Sequence, residues 1–196
     1  MKNLIVKFTV RYDLLDAMVE KADVWPEDPL FGSSQDTSMS QYQMNYGFDF
    51  SLKKPLGLIE EYEGIVFLGK EGMSINEGIE KMNELGYEGA NFFQFLGFRI
   101  ENGPDKRYIT GNTSPRLSDL AEYLVAPGIT SIDPHGTSMS GLSMTKETEL
   151  MLNEKAVFQP KTLFPVLQLS FEGRLMAFEA NRDMRGGIAL LGVKKI

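Results

Sequence analysis

The sequence predicts an α+β fold: a mixed, mainly antiparallel sheet of about eight strands with about four helices. Three observations lead to this prediction. Several segments alternate apolar and polar residues with the period of two that is typical of strands. Other segments begin with helix-capping residues and continue with apolar residues at helical spacing. Near the C-terminus, two apolar runs flank a glycine turn, which is the pattern of a β-hairpin.

Length and composition limit the class of protein. With 196 residues, of which 42% are hydrophobic, the chain is expected to form a single domain over residues 1–196. It has no cysteine and a single histidine, His135, which excludes disulfides, thiol nucleophiles and metal sites with paired imidazoles. We therefore expect neither a cofactor nor a metal ion. The net charge of −7 disfavours nucleic acid as a partner, because phosphate binding needs a basic surface.

The N-terminal residues indicate a strand followed by a helix. Four apolar residues recur at every second position: Leu4, Val6, Phe8 and Val10. Asp13 is expected to cap a helix that ends before Trp25. A loop rich in Pro, Ser, Asp and Gly is expected near residues 26–40, and a second long loop near 126–144.

The most regular pattern lies in residues 41–52, where polar and apolar residues alternate throughout. The apolar positions are Tyr42, Met44, Tyr46, Phe48, Phe50 and Leu52. This pattern predicts a strand of about twice the usual length, with the six side chains on one buried face. Because a long unpaired edge is an aggregation hazard, we expect the end with Tyr42 and Tyr46 to meet another subunit.

The middle of the chain is expected to contain a βαβ unit. Residues 55–62 are interpreted as a short helical turn, and residues 65–68 as a brief buried strand. Ser74 and Glu77 form a capping box that opens a helix ending near Gly86. The run at residues 91–100 is apolar on both faces, which predicts a central strand.

The rest of the chain is expected to return to β-structure. Residues 106–110 are predicted to form a hairpin strand, and Ser114 with Pro115 is typical of the start of a helix, here one that ends before Pro127. Another helix is expected at 145–155. The C-terminal strands are expected at residues 166–171, 174–180 and 188–196.

The loop at residues 131–140 contains the histidine. His135 lies near Asp133 and several serines, including Ser131, which is compatible with a hydrolase that uses this loop. However, the sequence lacks the G-x-S-x-G motif of a nucleophile elbow. We predict no catalytic residue and expect a protein that is not an enzyme.

The loop at residues 181–187 is a candidate anion site. Its candidate ligands are Arg182, Arg185, Gly186 and Gly187. Guanidinium groups grip anionic oxygens, and glycines let backbone N–H groups approach them. The same residues also fit an ordinary hairpin turn with solvated charges. This loop supports an alternative function: a small binding module for an anionic small molecule or a partner protein.

Methionines in polar loops indicate a contact surface, since an exposed thioether adapts to other surfaces. The predicted interaction surface consists of Met39, Tyr42, Met44, Tyr46, Met139 and Met144. The leading hypothesis is a non-catalytic structural or assembly protein that forms a homo-oligomer or a subunit of a larger particle, for example a viral or phage particle. No segment reaches the ~20 apolar residues of a membrane helix, so we expect no membrane partner and a location in the cytoplasm or in a particle assembled inside a cell.

Overall fold

The structure is a computed structural model that describes residues 3–27, 38–109, 113–133, 161–169, 173–185 and 187–196. Within these residues the predicted α+β fold is confirmed. The strands are β1 (Leu4–Arg11), β2 (Trp25–Pro26), β3 (Ile59–Leu68), β4 (Glu88–Gly89), β5 (Tyr123–Val125), β6 (Ser131–Asp133), β7 (Lys161–Gln168), β8 (Arg174–Glu179) and β9 (Ile188–Lys195). The helices are α1 (Leu15–Ala22), α2 (Met39–Tyr46), α3 (Ile75–Glu84), α4 (Phe92–Glu101) and α5 (Leu117–Leu120).

All these strands belong to one sheet. Their order is β1-β3-β9-β5-β7-β8-β2, with β4 also paired to β9 and β6 also paired to β7. The β5–β9 and β2–β8 pairs are parallel, and the remaining pairs are antiparallel. The sheet is therefore mixed and mainly antiparallel, as predicted.

Apolar side chains fill both faces of the sheet. On one face, the even-numbered residues of β1 and β3 form a core with α1, α2 and α4. On the other face, Ile65 and Phe67 of β3 pack with Ile75 and Met82 of α3. Gly97 allows α4 to approach β1 closely, because a Cβ at this position would lie 2.8 Å from a methyl group of Val10.

Three helices begin with a complete capping box. The pairs are Ser38 with Gln41 at α2, Ser74 with Glu77 at α3, and Asn91 with Gln94 at α4. In each pair, the first side chain accepts from the backbone N–H of the second residue, whose own side chain accepts in return. The predicted capping box of α3 is confirmed, and Gly86 follows that helix at φ +83°, as a C-terminal glycine does.

The predicted strand at residues 41–52 is wrong. Residues up to Tyr46 form α2, which ends at Gly47 with φ +69°, and residues 48–52 belong to no described strand. The helix uses only part of the alternating pattern: Tyr42 and Tyr46, four residues apart, share one side of it, whereas Met44 lies on the opposite side and is 78% exposed. Phe48 and Phe50 still reach the core beside Tyr42, with ring centroids 5.7 and 6.0 Å from its ring.

The predicted central strand at residues 91–100 is also wrong, because this segment forms α4. The helix lies between the sheet and α1, and it buries Phe92, Phe95 and Phe98 among other residues. A helix buried on all sides has the same continuous apolar run as a buried strand. The capping box of Asn91 and Gln94 was the signal that distinguishes the two.

Other predicted elements differ in extent. Residues 59–68 form one continuous strand, which replaces the predicted helical turn and brief strand. The strand that follows α3 is β4, and it is separated from β3 by β9, so the predicted βαβ unit is split. In place of a hairpin strand at 106–110, Arg107 forms an isolated bridge to Arg116. The predicted helix from Ser114 is the four-residue α5, followed by β5.

The terminal elements agree with the sequence. Strand β1, helix α1 and strands β8 and β9 lie where they were predicted, although α1 begins after Leu14 rather than at an Asp13 cap. The predicted pairing of β7 with β8 is confirmed, but β7 begins at Lys161, five residues before the predicted strand at 166–171. The predicted helix at 145–155 and most of the two long loops lie outside the described residues.

Candidate functional site

Strand β1 lies at one edge of the sheet. Its eight residues pair with β3, with Phe8 opposite Tyr62, and no strand in the described part of the chain pairs with its other side. The opposite edge is β2, which has only two residues. β1 is therefore the longer of these two edges.

The hydrogen bonds identify which backbone groups of β1 point outward. The N–H of Tyr12 donates to the carbonyl of Leu58 at 2.9 Å, so the even-numbered residues of β1 exchange hydrogen bonds with β3. The N–H of Ile196 donates to the carbonyl of Glu61 at 3.2 Å, which directs the odd-numbered residues of β3 toward β9 and agrees with this assignment. The outward residues of β1 are Ile5, Lys7, Thr9 and Arg11. Within the described structure, the N–H and C=O of each have no hydrogen-bond partner.

The side chains of these four residues share the sheet face that carries α3. Ile5 is 55% exposed, Lys7 and Arg11 are also exposed, and Thr9 is half-buried. The residues of β3 that lie opposite them are, in the same order, Ile65, Glu63, Glu61 and Ile59. The edge thus combines free backbone groups with apolar and cationic side chains.

The opposite face of β1 is fixed to the core. The ring of Phe8 stacks on Tyr62 with centroids 5.8 Å apart and meets Phe98 of α4 edge-on at 5.3 Å. Gly64 leaves room for this ring, since a Cβ there would lie 2.9 Å from it. These contacts hold the backbone of the edge strand in an extended form.

A buried polar network joins the ends of β1, β3 and β9. Tyr62 lies 2.8 Å from the hydroxyl of Tyr12 and donates to Oε2 of Glu60 at 2.6 Å. Oε1 of Glu60 accepts from Lys195 at 2.6 Å and from Lys54 at 3.2 Å. The Glu60 side chain is only 6% exposed, and its carboxylate accepts from these three donors.

These contacts fix the charge of the carboxylate. Hydrogen bonds from Lys195 and Tyr62 lower the pKa of Glu60 to about 2, and the hydrogen bond to Glu60 raises the pKa of Lys195. Burial raises the pKa of Tyr12 above its usual value. At neutral pH, Glu60 therefore accepts hydrogen bonds and holds no proton to donate. The network connects three strands beside the open edge.

The predicted anion loop at residues 181–187 closes the N-terminus of α3. The carbonyl of Arg182 accepts from the N–H of Ile75 at 3.0 Å, and the carbonyl of Ala180 accepts from Asn76 at 3.1 Å. These N–H groups belong to the first turn of α3, where an anion would otherwise bind. The backbone of this region thus caps a helix.

Met184 holds the same loop in place. Its N–H donates to the carbonyl of Met73 at 2.8 Å. Its side chain lies against Gly69 and Gly78, where an added Cβ would lie 2.6 Å from it in both cases. The two glycines make room for this methionine.

The two arginines of the loop already have neighbours. The guanidinium of Arg182 lies 3.7 Å from the ring centroid of Phe178. Arg185 pairs with Asp183 at 2.8 Å and with Glu71 at 3.8 Å, and its side chain is 64% exposed. Anion binding by these residues stays a prediction, and Gly186 lies outside the described residues.

A cleft of about 380 Å³ adjoins this loop. Its apolar lining consists of Leu68, Leu120, Met184 and Ile188, and the charged side chains at it are Glu71 and Arg185. Gly187, another predicted anion ligand, also borders the cleft. The volume is in the range of small-molecule sites.

Of the four predicted interaction residues that the structure describes, three pack inside the chain. Met39 and Tyr42 are buried, and the Tyr42 hydroxyl donates to the carbonyl of Met176 at 2.6 Å. Tyr46 is partly buried, with its ring centroid 5.1 Å from that of Tyr42. Met44 points away from the core and is 78% exposed. Of these four residues, Met44 is the one whose side chain is free to meet another molecule.

Several predicted residues lie outside the described part of the chain, namely His135, Met139 and Met144. Ser131, at the start of the predicted hydrolase loop, is 5% exposed and donates its hydroxyl to the carbonyl of Tyr46. The hydrolase alternative therefore stays a prediction.

Sequence reasoning missed both the open edge and the polar network. The period-two pattern located β1, but strand order depends on contacts distant in sequence. The signal for the start of β3 was the alternation of buried Glu60 and Tyr62 with exposed Ile59 and Glu61.

Comparison with protein-family models, curated proteins and solved structures gives no match to this chain. Among the described residues, no helix is both long and apolar enough to cross a membrane.

Proposed function

We propose that this chain is a non-catalytic assembly protein that accepts a β-strand of a partner at the open edge of β1. The observation that carries the proposal is the row of outward backbone groups at Ile5, Lys7, Thr9 and Arg11. Strand addition to such an edge is a common mode of protein association, because main-chain hydrogen bonds supply the affinity.

The rest of the site supports this proposal. The edge is backed by Phe8 and Val10, both buried, so little conformational entropy is lost when a partner strand pairs with it. Ile5 adds an exposed apolar side chain at one end of the strand. The subunit contact predicted for residues 41–52 is thus reassigned to β1, with Met44 of α2 as a further exposed position.

Proline at position 9 tests the proposal. The N–H of Thr9 points outward, so Thr9→Pro removes no hydrogen bond of the monomer but blocks strand pairing at that position. Thr9→Ala is the matched control, because it keeps the N–H. We expect the parent and Thr9→Ala to associate with rising concentration in light scattering, and Thr9→Pro to remain folded and monomeric.

Two results would overturn this function. One is a parent protein that stays monomeric at every concentration and binds no added β-strand peptide. The other is a Thr9→Pro variant that associates as the parent does. Circular dichroism and thermal melting of Thr9→Pro establish that its monomer is folded.

The cleft beside Arg185 favours a second candidate function, the binding of a small anionic molecule. The cleft combines an apolar lining with an exposed cation whose present partners, Asp183 and Glu71, are side chains that a ligand can displace. A thermal-shift screen with phosphate, nucleotides and small carboxylates tests it, since ligand binding raises stability by mass action. We expect Arg185→Ala to abolish any shift. Absence of a shift in the parent protein removes this candidate.

A further inference from the structure

The charges on β1 restrict how a second strand can pair with it. Lys7 and Arg11 lie on the exposed face of an edge strand, where charged side chains commonly discourage pairing. Like charges directly opposite each other destabilise an antiparallel pair. A partner strand must therefore use the outward backbone groups of β1 without placing a cationic side chain opposite Lys7 or Arg11.

A second copy of β1 can do so in one register. Outward residues must pair with outward residues, and an antiparallel self-pairing uses at least three of the four outward residues of each copy only when it is centred on Lys7, Phe8 or Thr9. Centring on Lys7 places two lysines opposite each other. Centring on Thr9 places Lys7 opposite Arg11 of the partner subunit. Centring on Phe8 avoids both contacts.

We propose that β1 pairs with β1 of a second copy of this chain, antiparallel and centred on Phe8. This inference rests on the proposed function and names its partner. Lys7 then lies opposite Thr9 of the partner subunit, and Arg11 lies opposite Ile5 of the partner subunit. All four outward residues of each copy are paired, which gives the longest overlap that the edge allows.

The neighbouring strand β3 complements this register. Glu63 lies beside Lys7, and Glu61 lies beside Thr9. The row that contains Lys7 therefore runs Glu63, Lys7, Thr9 of the partner subunit and Glu61 of the partner subunit. Each lysine therefore lies in a row that ends in a carboxylate on both sides. These carboxylates offset the electrostatic repulsion between the two Lys7 ammonium groups, which lie diagonally across the strand pair.

Symmetry also favours a second copy. A two-fold axis perpendicular to the sheet through the centre of the pair keeps the α3 face of both copies on one side. The same operation pairs both β1 edges completely, so no open β1 edge remains. A closed dimer follows rather than a filament at this edge.

Cysteine cross-linking tests the register, because the chain has no cysteine of its own. Opposite residues of a hydrogen-bonded antiparallel pair have Cα atoms ~5.5 Å apart, within the range that a disulfide spans. Lys7→Cys and Thr9→Cys are prepared as separate proteins, one of them with a size tag. Glu84→Cys, on the exposed side of α3, measures cross-linking by random collision.

The two proteins are mixed and then oxidised. We expect disulfide dimers that contain one Lys7→Cys chain and one Thr9→Cys chain, at least tenfold above the Glu84→Cys level. Neither single variant is expected to cross-link with itself above that level.

Other outcomes overturn the register and separate it from the proposed function. Self-cross-linking of Lys7→Cys indicates centring on Lys7, and self-cross-linking of Thr9→Cys indicates centring on Thr9. The parent protein could also dimerise without any of these cross-links, while Thr9→Pro stays monomeric. That result supports strand addition at the β1 edge but contradicts self-pairing through these residues. A parent that is monomeric and captures no strand removes both.

Discussion

The hydroxyl of Tyr62 lies 2.6 Å from Oε2 of Glu60, two residues away on the same face of β3. Through this carboxylate, Tyr62 is linked to Lys195 near the end of the last strand. The network therefore connects the edge pair β1–β3 to the C-terminal strand β9. Because Glu60 is ionised in this network, the free energy of unfolding depends on pH.

The first prediction concerns acid stability. The folded state lowers the pKa of Glu60 from 4.5 to about 2. The stabilisation is therefore complete above pH ~4.5 and is lost as the pH falls toward 2, because the unfolded state binds the proton more tightly. Glu60→Gln removes this contribution, and we expect it to lower the free energy of unfolding by about 2 kcal/mol at pH 7.

Urea denaturation at several pH values measures this effect. The difference between the parent and Glu60→Gln should shrink as the pH falls from 4.5 to 2. Glu61→Gln, at an exposed position of β3, is the matched control for the loss of one carboxylate, and we expect it to change the free energy of unfolding at pH 7 by less than about 0.5 kcal/mol. An equal difference at pH 2.5 and pH 7 contradicts the assigned role of Glu60.

The second prediction concerns the contact between α4 and β1. Gly97→Ala places a methyl group 2.8 Å from Val10, and we expect it to destabilise the fold by about 2 kcal/mol. Val10→Ala in the same chain makes room for the methyl group. Thermal or urea denaturation of the two single variants and the double variant should give a smaller loss for the double variant than the sum of the single losses. Strict additivity would show that the two residues do not compete for space.

The third prediction concerns the start of α3. Ser74 accepts from the N–H of Glu77, and its replacement by alanine should cost about 1 kcal/mol. Ser74→Asn keeps an acceptor and should restore most of the stability. Ser40→Ala, at an exposed position inside α2, is the comparison and should be nearly neutral. Equal effects of Ser74→Ala and Ser40→Ala in urea denaturation would exclude capping as the cause.

The fourth prediction separates two residues of α2. Met44 is 78% exposed, so Met44→Gln, which keeps a similar helix propensity, should change the free energy of unfolding by less than about 0.5 kcal/mol. Tyr42→Phe removes a buried hydrogen bond to the carbonyl of Met176 and should cost about 1 kcal/mol. Denaturation curves of both variants measure this contrast. A large loss for Met44→Gln would mean that the Met44 side chain contacts the fold.

Local signals predicted the elements whose patterns have a single interpretation. The alternation of Leu4, Val6, Phe8 and Val10 predicted β1, and Ser74 with Glu77 predicted the start of α3. The glycine between the two apolar runs predicted the β7–β8 hairpin. In each case, neighbouring residues along the chain decide the structure, so the sequence contains the whole signal.

Residues 41–52 and 91–100 show where such signals are ambiguous. In both segments the apolar pattern favours a strand, whereas the pair of residues that forms a capping box at the start of each helix favours a helix. Tyr42 faces the core from α2, with the rings of Phe48 and Phe50 beside it. Phe50 in turn stacks on Phe92 of α4, a partner that is distant in sequence and that periodicity within the segment does not reveal.

By itself, the sequence determined the α+β class, the positions of its first and last strands and the cap of α3, because period and capping act over a few residues. The tertiary structure decided the order of the strands, which leaves β1 at an edge. It also decided the environment of Glu60, whose donors Tyr62 and Lys195 belong to strands β3 and β9, which are distant in sequence but adjacent in the sheet. Strand order and buried polar contacts depend on which distant segments pack together, and that choice minimises the free energy of the whole chain rather than of any one segment.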